Sequence, residues 1–178
     1  MKKDNFVIDI ETLGNVPGSI ILEVGCVKFN PSTGEILDEI LVSFDQEESV
    51  RHGFITTPST LKWWSKQPCF SMVLNRVPKS TLNAGLSQLF NFIGYPNDAI
   101  IWANSPIFDI SLLQCYYDKF AFLDYPWKPW NLRDIRTLVE LVGVNKATAN
   151  THGALEDCKN QVDWIVQGLR KVDPLNEK

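Results

Sequence analysis

The sequence predicts an α/β fold in which a mixed β-sheet carries helices on both of its faces. Three strand-like segments open the chain, and strand and helix patterns alternate after them, which is typical of this architecture and not of a helix bundle or a β-sandwich. The length of 178 residues and the hydrophobic fraction of 44% suffice for a sizeable core. No shift of composition marks a boundary, so we expect a single domain over residues 1–178, with a polar tail from about residue 172.

The predicted strands are short apolar segments bounded by turn residues. The first covers residues 5–10 and is buried. Residues 19–30 and 35–44 predict a hairpin around the tight turn Pro-Ser-Thr-Gly at 31–34. Residues 99–104 are apolar almost throughout and predict a fourth strand.

The predicted helices have apolar side chains spaced three and four residues apart. Ser105 suits the N-cap of one helix and Pro106 its first position. A segment with two prolines and two tryptophans, residues 123–131, predicts a loop or an extended stretch. The other predicted helices cover residues 57–67, 80–94, 132–143 and 153–171.

Charge and cysteine content exclude some classes of protein. The net charge is −4 and the pI is about 5.2, which argues against a protein that coats polyanions but leaves room for a local basic groove. The cysteines show no CxxC pair and no zinc-type spacing, so we expect reduced residues in a cytoplasmic protein. No apolar stretch approaches the length of a membrane span. The cysteines are Cys26, Cys69, Cys115 and Cys158.

Two acids interrupt the apolar opening strand. Asp9 and Glu11 are two positions apart, so both side chains point to one face of the strand, roughly 7 Å apart along it. Burial and mutual repulsion disfavour two carboxylates there unless a cation lies between them. Mg²⁺ binds through one or two carboxylates and leaves room for a substrate phosphate. A strand end that emerges into solvent is an equally weighted alternative.

Three further polar residues occur at helix starts. Asp109 is in the first turn of the helix after the fourth strand, and His152 and Asp157 flank the start of the last helix. Taken singly, each acid is explained by the helix dipole and the histidine by a surface position. Taken together with Asp9 and Glu11, they form a set of four acids and a base, which is what two-metal phosphoryl transfer requires.

The same residues fall into three motifs. DxE in the opening strand, Asp109 in the segment NSPIFD and HxxxxD at the last helix resemble the motifs of the DEDDh (DnaQ-like) 3′→5′ exonucleases, over residue 6 to about residue 165. The stretch STLKWWSKQ and the compact length are most similar to stand-alone phage exonuclease A (DexA)-like and bacterial exoribonuclease-like proteins. Glu156, before the motif residue Asp157, stands where relatives often have aspartate. The resemblance implies an RNase H-like fold with a five-stranded mixed sheet.

The resemblance also implies a role for each motif residue. Asp9, Glu11 and Asp157 would hold one Mg²⁺ or Mn²⁺ ion, which carries the attacking water, and Asp9 and Asp109 would hold a second ion near the leaving oxygen. His152 would accept the proton of that water, which suits the ordinary histidine pKa of about 6.5. The substrate would be single-stranded DNA or RNA, and because relatives are often homodimers, a homodimer is possible.

Some residues near the motifs are candidates for substrate contact. In the relatives, a backbone amide and an apolar wedge at the positions of Thr12 and Leu13 meet the terminal nucleotide. Trp63 and Trp64 point about 100° apart on a helix, so one of them should be more exposed, and we select Trp64 as a stacking surface for a base. Core packing is the commoner role of such residues. Candidate cations near the site are Lys62, Lys66, Arg133 and Lys146.

Two other functions compete with a metal-dependent exonuclease. A catalytically silent nucleic-acid-binding domain on the same fold would have no need of all four acids and His152, so the intact set argues against it. A structural or interaction protein would use the acids only to line a solvated edge. A metal titration separates this last class from the other two, and a nuclease assay separates those from each other.

Overall fold

The chain folds around one five-stranded β-sheet. The structure, a computed structural model, describes residues 3–94, 98–120, 124–146 and 151–172. The strands in these ranges are β1 (Asn5–Thr12), β2 (Ile21–Phe29), β3 (Ile36–Ser43), β4 (Ile100–Ala103) and β5 (Leu132–Asp134). The helices are α1 (Gln46–Arg51), α2 (Pro58–Trp64), α3 (Phe70–Leu74), α4 (Leu82–Ile93), α5 (Pro106–Lys119), α6 (Ile135–Val142) and α7 (Ala154–Val172).

The sheet is mixed, with β1 at its centre. The strand order is β3-β2-β1-β4-β5. The β1–β2 and β2–β3 pairs are antiparallel, whereas β4 pairs in parallel with both β1 and β5. The carboxyl ends of the three parallel strands therefore lie at one edge of the sheet, where the acids of β1 are also found.

Alternation along β1 divides the core into two layers. Phe6, Ile8 and Ile10 face one side, where they pack with residues of α2, α3, α4 and α5. Val7 faces the other side, where the apolar faces of α6 and α7 pack, including Cys158 of α7. The sheet thus has helices on both faces, as the sequence predicts.

Most predicted elements are confirmed within a few residues of their ends. The hairpin is formed by β2 and β3, and Gly94 follows the end of α4. The predicted helix at 132–143 is wrong at its start. Leu132–Asp134 form β5 beside β4, because the main chain there is bonded to a parallel neighbour, and α6 begins only at Ile135.

The cysteines, the helices and the end of the chain can be compared with the sequence-based predictions. All four cysteines are free thiols. Of the helices in the described part of the chain, none combines the length and the apolar character needed to cross a membrane. The tail after residue 172 and the start of the predicted loop at residue 123 lie outside the described residues.

Candidate active site

The opening strand contributes two acids on the face that α7 covers. Asp9 pairs in register with Gly25 of β2, and Glu11 pairs with Glu23. Asp9 is partly buried and Glu11 is buried. Because directly paired residues of antiparallel strands share a face, Asp9, Glu11 and Glu23 project to the same side.

The start of α5 contributes a third acid. Ser105 is the N-cap, although its side chain makes no capping bond, and Pro106 is in the first turn. The backbone N–H of Asp109 donates to the Ser105 carbonyl at 3.1 Å, which continues the helix from its first turn. The Asp109 side chain is only 3% exposed, and its Oδ2 has no hydrogen-bond partner among the described residues. A buried carboxylate oxygen without a partner is costly, so this atom is suited to contact a cation bound in the cleft.

The start of α7 contributes the fourth acid and the histidine. Asp157 is buried, and its carboxylate accepts three hydrogen bonds, from Thr151 N at 2.7 Å, Thr151 Oγ1 at 3.0 Å and His152 N at 3.0 Å. His152 has a φ of 54°, a left-handed conformation that is uncommon for residues other than glycine. The carboxylate of Asp157 therefore holds the loop that presents His152 in a specific shape.

These elements converge on one cleft of about 310 Å³. One carboxylate oxygen of Glu11, one of Asp157 and a ring nitrogen of His152 lie within 4.8 Å of one another. All five residues selected from the sequence line the cleft: Asp9, Glu11, Asp109, His152 and Asp157.

The electrostatics of the cleft disfavour ionised carboxylates in the absence of a cation. Burial raises the pKa of Asp9 well above its usual range, and the charges of Asp109 and Glu11 raise it further. Burial likewise raises the pKa of Glu11 to about 8, with Asp157 and Glu23 adding to the effect. The pKa of Asp109 rises to about 7 because of burial, against the lowering effect of backbone hydrogen bonds and of the Arg136 charge.

The donor set fits hard divalent cations. Carboxylate oxygens are the ligands that Mg²⁺ and Mn²⁺ prefer, and four carboxylates meet in this cleft. A bound cation would favour the ionised carboxylates against burial, would offset the repulsion that adds to the pKa of Asp9 and Glu11, and would give Asp109 Oδ2 a partner. The residues present therefore fit such ions.

Five polar residues of the cleft were not among the predicted site residues: Asn15, Thr60, Asn104, Arg136 and Gln161. Gln161 is buried and donates from Nε2 to Asp9 Oδ1 at 2.7 Å. Asn104 follows β4, and its buried Oδ1 has no hydrogen-bond partner within the described ranges, while Arg136 donates to the Asn104 carbonyl at 3.4 Å. A signal existed for Gln161 alone: it lies four residues after Asp157, on the same face of α7.

The two tryptophans of α2 have different environments, as predicted, and both line the cleft, but Trp64, the residue selected as a stacking surface, is the buried one. Trp64 is 1% exposed, stacks on Phe70 and donates from Nε1 to the Thr12 carbonyl at 2.7 Å. Its ring faces are therefore covered. Trp63 is 40% exposed and lies edge-to-face with His152, with ring centroids 4.8 Å apart.

Of the other residues predicted to contact the substrate, some line the cleft and others do not. Thr12 lines the cleft. Leu13 is buried in the core and its N–H donates to the Ile20 carbonyl, so it does not project as a wedge. None of the predicted cations, Lys62, Lys66, Arg133 and Lys146, lines the cleft, whereas Arg136 does. The Arg133 guanidinium instead donates to two backbone carbonyls, and the Lys146 ammonium lies over Trp164.

The arrangement agrees with comparisons to known proteins. Residues 4–168 match the family model described as the 3′-5′ exoribonuclease Rv2179c-like domain. The chain belongs to this family. It is also 24% identical to an exodeoxyribonuclease of Enterobacteria phage T4, over 93% of this chain and 89% of that protein. The resemblance predicted from the three motifs is thus confirmed: the protein is a DEDDh-type 3′→5′ exonuclease, a hydrolytic nuclease.

Solved structures support the RNase H-like fold. Exonuclease I from Methylocaldum szegediense superposes with a TM-score of 0.70 at 13% identity, over 97% of this chain and 41% of that one. E. coli exonuclease I in complex with a dT13 oligonucleotide gives 0.64 at 13% identity, over 98% and 42%. This chain therefore spans less than half the length of either. The nuclease domain of 3′hExo, a DEDDh family member bound to rAMP, gives 0.58 at 14% identity, over 94% and 92%.

Proposed function

We propose that this exonuclease removes nucleotides from the 3′ end of single-stranded DNA or RNA with two divalent cations, Mg²⁺ or Mn²⁺, and a histidine base. The observation that carries the proposal is the convergence of four buried or partly buried carboxylates and one imidazole in a single cleft. The proposal assigns the activity to one domain over residues 1–178. The possible homodimer stays a prediction.

The carboxylates would bind the cations in two sets. Asp9, Glu11 and Asp157 would hold one ion, and Asp9 together with Asp109 the other. Bound ions of this kind lower the pKa of a bound water and neutralise charge on a transferring phosphoryl group. Gln161 supports the shared ligand, because its N–H fixes the orientation of the Asp9 carboxylate.

His152 is the proposed general base. It would accept one proton of the attacking water while the water oxygen forms a bond to the terminal phosphorus. The bond from phosphorus to the 3′ oxygen of the preceding nucleotide would break, and this oxygen would take up a proton from solvent. The products are a nucleoside 5′-monophosphate and a strand shortened by one, with a 3′-hydroxyl end. The position of the imidazole, within 4.8 Å of carboxylate oxygens of Glu11 and Asp157, supports this role.

Two further residues would contact the substrate. Arg136 is an exposed cation that lines the cleft, and its guanidinium suits an oxygen of the scissile phosphate. Trp63 presents an exposed indole beside His152, on which the terminal base could stack. Thr12 is the third proposed contact, at the cleft end of β1.

A catalytically silent nucleic-acid-binding domain remains the second candidate. It would retain a substrate cleft but would not require four carboxylates, whose crowding costs stability when no cation is bound. The intact set therefore favours the enzyme.

The experiment that tests the proposal is digestion of matched DNA and RNA single strands that carry a label at either end. With Mg²⁺ or Mn²⁺, a 5′-labelled strand should give a ladder that shortens by one nucleotide at a time, and a 3′-labelled strand should release labelled mononucleotide at once. EDTA should stop both reactions. Release of mononucleotide from the 5′ end would refute the assigned direction, and binding without cleavage would favour the silent domain.

A further inference from the structure

We propose that Glu23 and Arg76 are positioning residues, whose ion pair fixes the start of α7, and with it His152 and Asp157, opposite Glu11. Neither residue lines the cleft. The inference rests on the proposed function for its catalytic consequence, but the anchoring itself can be measured without any activity.

Glu23 is a buried carboxylate with both oxygens engaged. It is 0% exposed. Its Oε1 accepts the backbone N–H of Ala154 at 2.9 Å, and its Oε2 accepts Arg76 Nε at 2.5 Å. A fully buried acid is costly unless it is paired and hydrogen-bonded, so the two contacts together explain how Glu23 is tolerated within β2.

The contact to Ala154 satisfies a backbone donor that the helix leaves free. The first N–H groups of a helix have no partner within it, and Ala154 is the first residue of α7. A side chain from a strand therefore acts as the cap of this helix. The positive end of the helix dipole adds to the attraction for the carboxylate.

Gly25 makes this close approach possible. It lies two residues after Glu23, on the same face of β2, opposite Asp9. A Cβ at Gly25 would lie 2.5 Å from the Ala154 carbonyl carbon and oxygen and 2.6 Å from Leu155 N. The backbone of the α7 start therefore rests directly on β2, and Glu23 fixes its position there.

The anchored residue lies between the two functional residues that the helix start supplies. His152 is two residues before Ala154, and Asp157 is three residues after it. Asp157 N donates to the Gly153 carbonyl at 2.9 Å, and His152 N donates to Asp157 Oδ2 at 3.0 Å. Because the loop and the first turn are bonded to each other, a shift of Ala154 moves the imidazole and the carboxylate together relative to Glu11.

Arg76 is needed because Glu23 adds negative charge to an acidic site. Glu23 faces Glu11 across the β1–β2 pair. The Arg76 side chain follows α3 and is 28% exposed, so it reaches the buried carboxylate from the surface. Loss of Arg76 would leave an uncompensated carboxylate beside Glu11, which weakens the hold on α7 and adds repulsion at the site.

A role in stability alone would give a different result from a positioning role. The test compares Glu23→Gln, Arg76→Gln and the control Glu39→Gln. Glu39 pairs with Lys159 at 3.2 Å and so also links the sheet to α7, but at the surface. For each folded variant, peptide-level amide hydrogen exchange across residues 151–158 is measured in EDTA, and kcat and KM are measured on a single-stranded oligonucleotide with Mg²⁺.

We expect Glu23→Gln and Arg76→Gln to speed exchange across residues 151–158 more than in the rest of α7. We expect kcat to fall about tenfold or more with a smaller change in KM, since small displacements of catalytic groups cost this much. Glu39→Gln should change neither quantity. If Glu23→Gln does not fold, Arg76→Gln, at a partly exposed position, carries the test.

Unchanged exchange across residues 151–158 together with kcat within twofold of wild type in folded Arg76→Gln would overturn the inference. So would an equal effect of Glu39→Gln. An inactive wild-type protein would instead refute the proposed function, and the exchange measurement would still decide whether the ion pair anchors α7.

Discussion

His152 is the residue whose surroundings say most about the chemistry of the cleft. Its backbone is held in a left-handed conformation by the Asp157 carboxylate, and its ring lies against the edge of Trp63. A ring nitrogen is as close to the carboxylates as a metal ligand would be. The imidazole could therefore act as a base or as a ligand, and substitution separates the two roles.

We expect His152→Ala to lower kcat about a hundredfold or more, as the loss of a general base typically does. The dependence of the rate on pH should also differ between wild type and variant, because the variant lacks the proposed base. The stabilisation that Mg²⁺ gives in thermal unfolding should persist, because the four carboxylates remain. Loss of that stabilisation would make His152 a ligand, and an unchanged pH profile would make it a bystander.

Trp63 gives a second prediction at this scale. Trp63→Ala should raise KM for an oligonucleotide about tenfold, equivalent to about 1.4 kcal/mol of base stacking, with kcat less affected. Trp63→Phe keeps an aromatic face and is the matched control. Equal KM values for wild type and Trp63→Ala would remove the indole from the substrate site.

At the scale of elements, α7 joins the hydrophobic core to the proposed catalytic cleft. Its apolar stripe packs on the sheet through Cys158, Val162 and Ile165, while its first turns present Asp157 and Gln161 to Asp9 and Glu11. The helix therefore brings buried acids close to other buried acids. In the absence of cations this arrangement should destabilise the fold, and the effect depends on pH.

The free energy of unfolding in EDTA should fall as the pH rises from about 5 to 8. The pKa values of Glu11 and Asp109 in the folded protein are about 8 and about 7, well above those of the unfolded chain. At pH values between the pKa of these groups in the unfolded chain and their pKa in the folded protein, the folded state binds more protons than the unfolded state. Raising the pH therefore disfavours the folded state. The increase in melting temperature on addition of Mg²⁺ should be largest near pH 8, where protons no longer compete with Mg²⁺ for the carboxylates.

Glu11→Gln should flatten this dependence, because it removes one titrating group and its repulsion. A melting temperature in EDTA that stays constant or rises between pH 5 and 8 would contradict the electrostatic account.

The sequence predicts the elements well where a regular apolar period dominates. The periods of α4 and α7 extend over several turns, and both helices form where expected. β5 was missed because three residues are too few to show a strand period, and its formation depends on a parallel partner far away in sequence. The short helices α1 and α3 have only six and five residues, which are too few to show a helical period, and the sequence did not predict them.

The candidate site was predictable where a motif fixes residue type and spacing. All four acids and His152 lie where the motifs place them. Which tryptophan is exposed was not predictable, because both lie on one short helix and the outcome depends on Phe70 and the Thr12 carbonyl. Arg136 and Glu23 reach their positions only through the sheet and its packing, which spacing in the chain does not reveal.

At the scale of the whole molecule, the protein is an acidic chain that must hold a polyanion. A net charge of −4 gives little long-range attraction to nucleic acid. We therefore expect affinity to come from the cleft, through bound cations, Arg136 and the exposed face of Trp63. A site of this kind would hold one strand end, and a paired 3′ end would have to be opened first.

We therefore expect single strands and 3′ overhangs to be degraded faster than blunt duplexes of the same sequence. Opening a duplex costs about 1.4 kcal/mol per base step, and the small number of phosphate contacts predicts a shallow salt dependence. Initial rates at low and moderate salt on the three substrates test both expectations. Equal or faster digestion of the blunt duplex would contradict them.

The acids of the opening strand are proposed to bind catalytic cations, and the variant Asp9→Asn is the sharpest test of this role. The measurement is the initial rate of cleavage of a 5′-labelled single strand at millimolar Mg²⁺, with thermal unfolding in EDTA as the check on folding. The control is Asp163→Asn, which changes an exposed acid of α7. We predict no detectable cleavage by Asp9→Asn, since removal of a ligand takes away several kcal/mol of transition-state stabilisation. We also predict a melting temperature in EDTA at or above that of wild type, because repulsion among the acids falls. A rate close to wild type in a folded Asp9→Asn protein would show that Asp9 does not bind a catalytic cation.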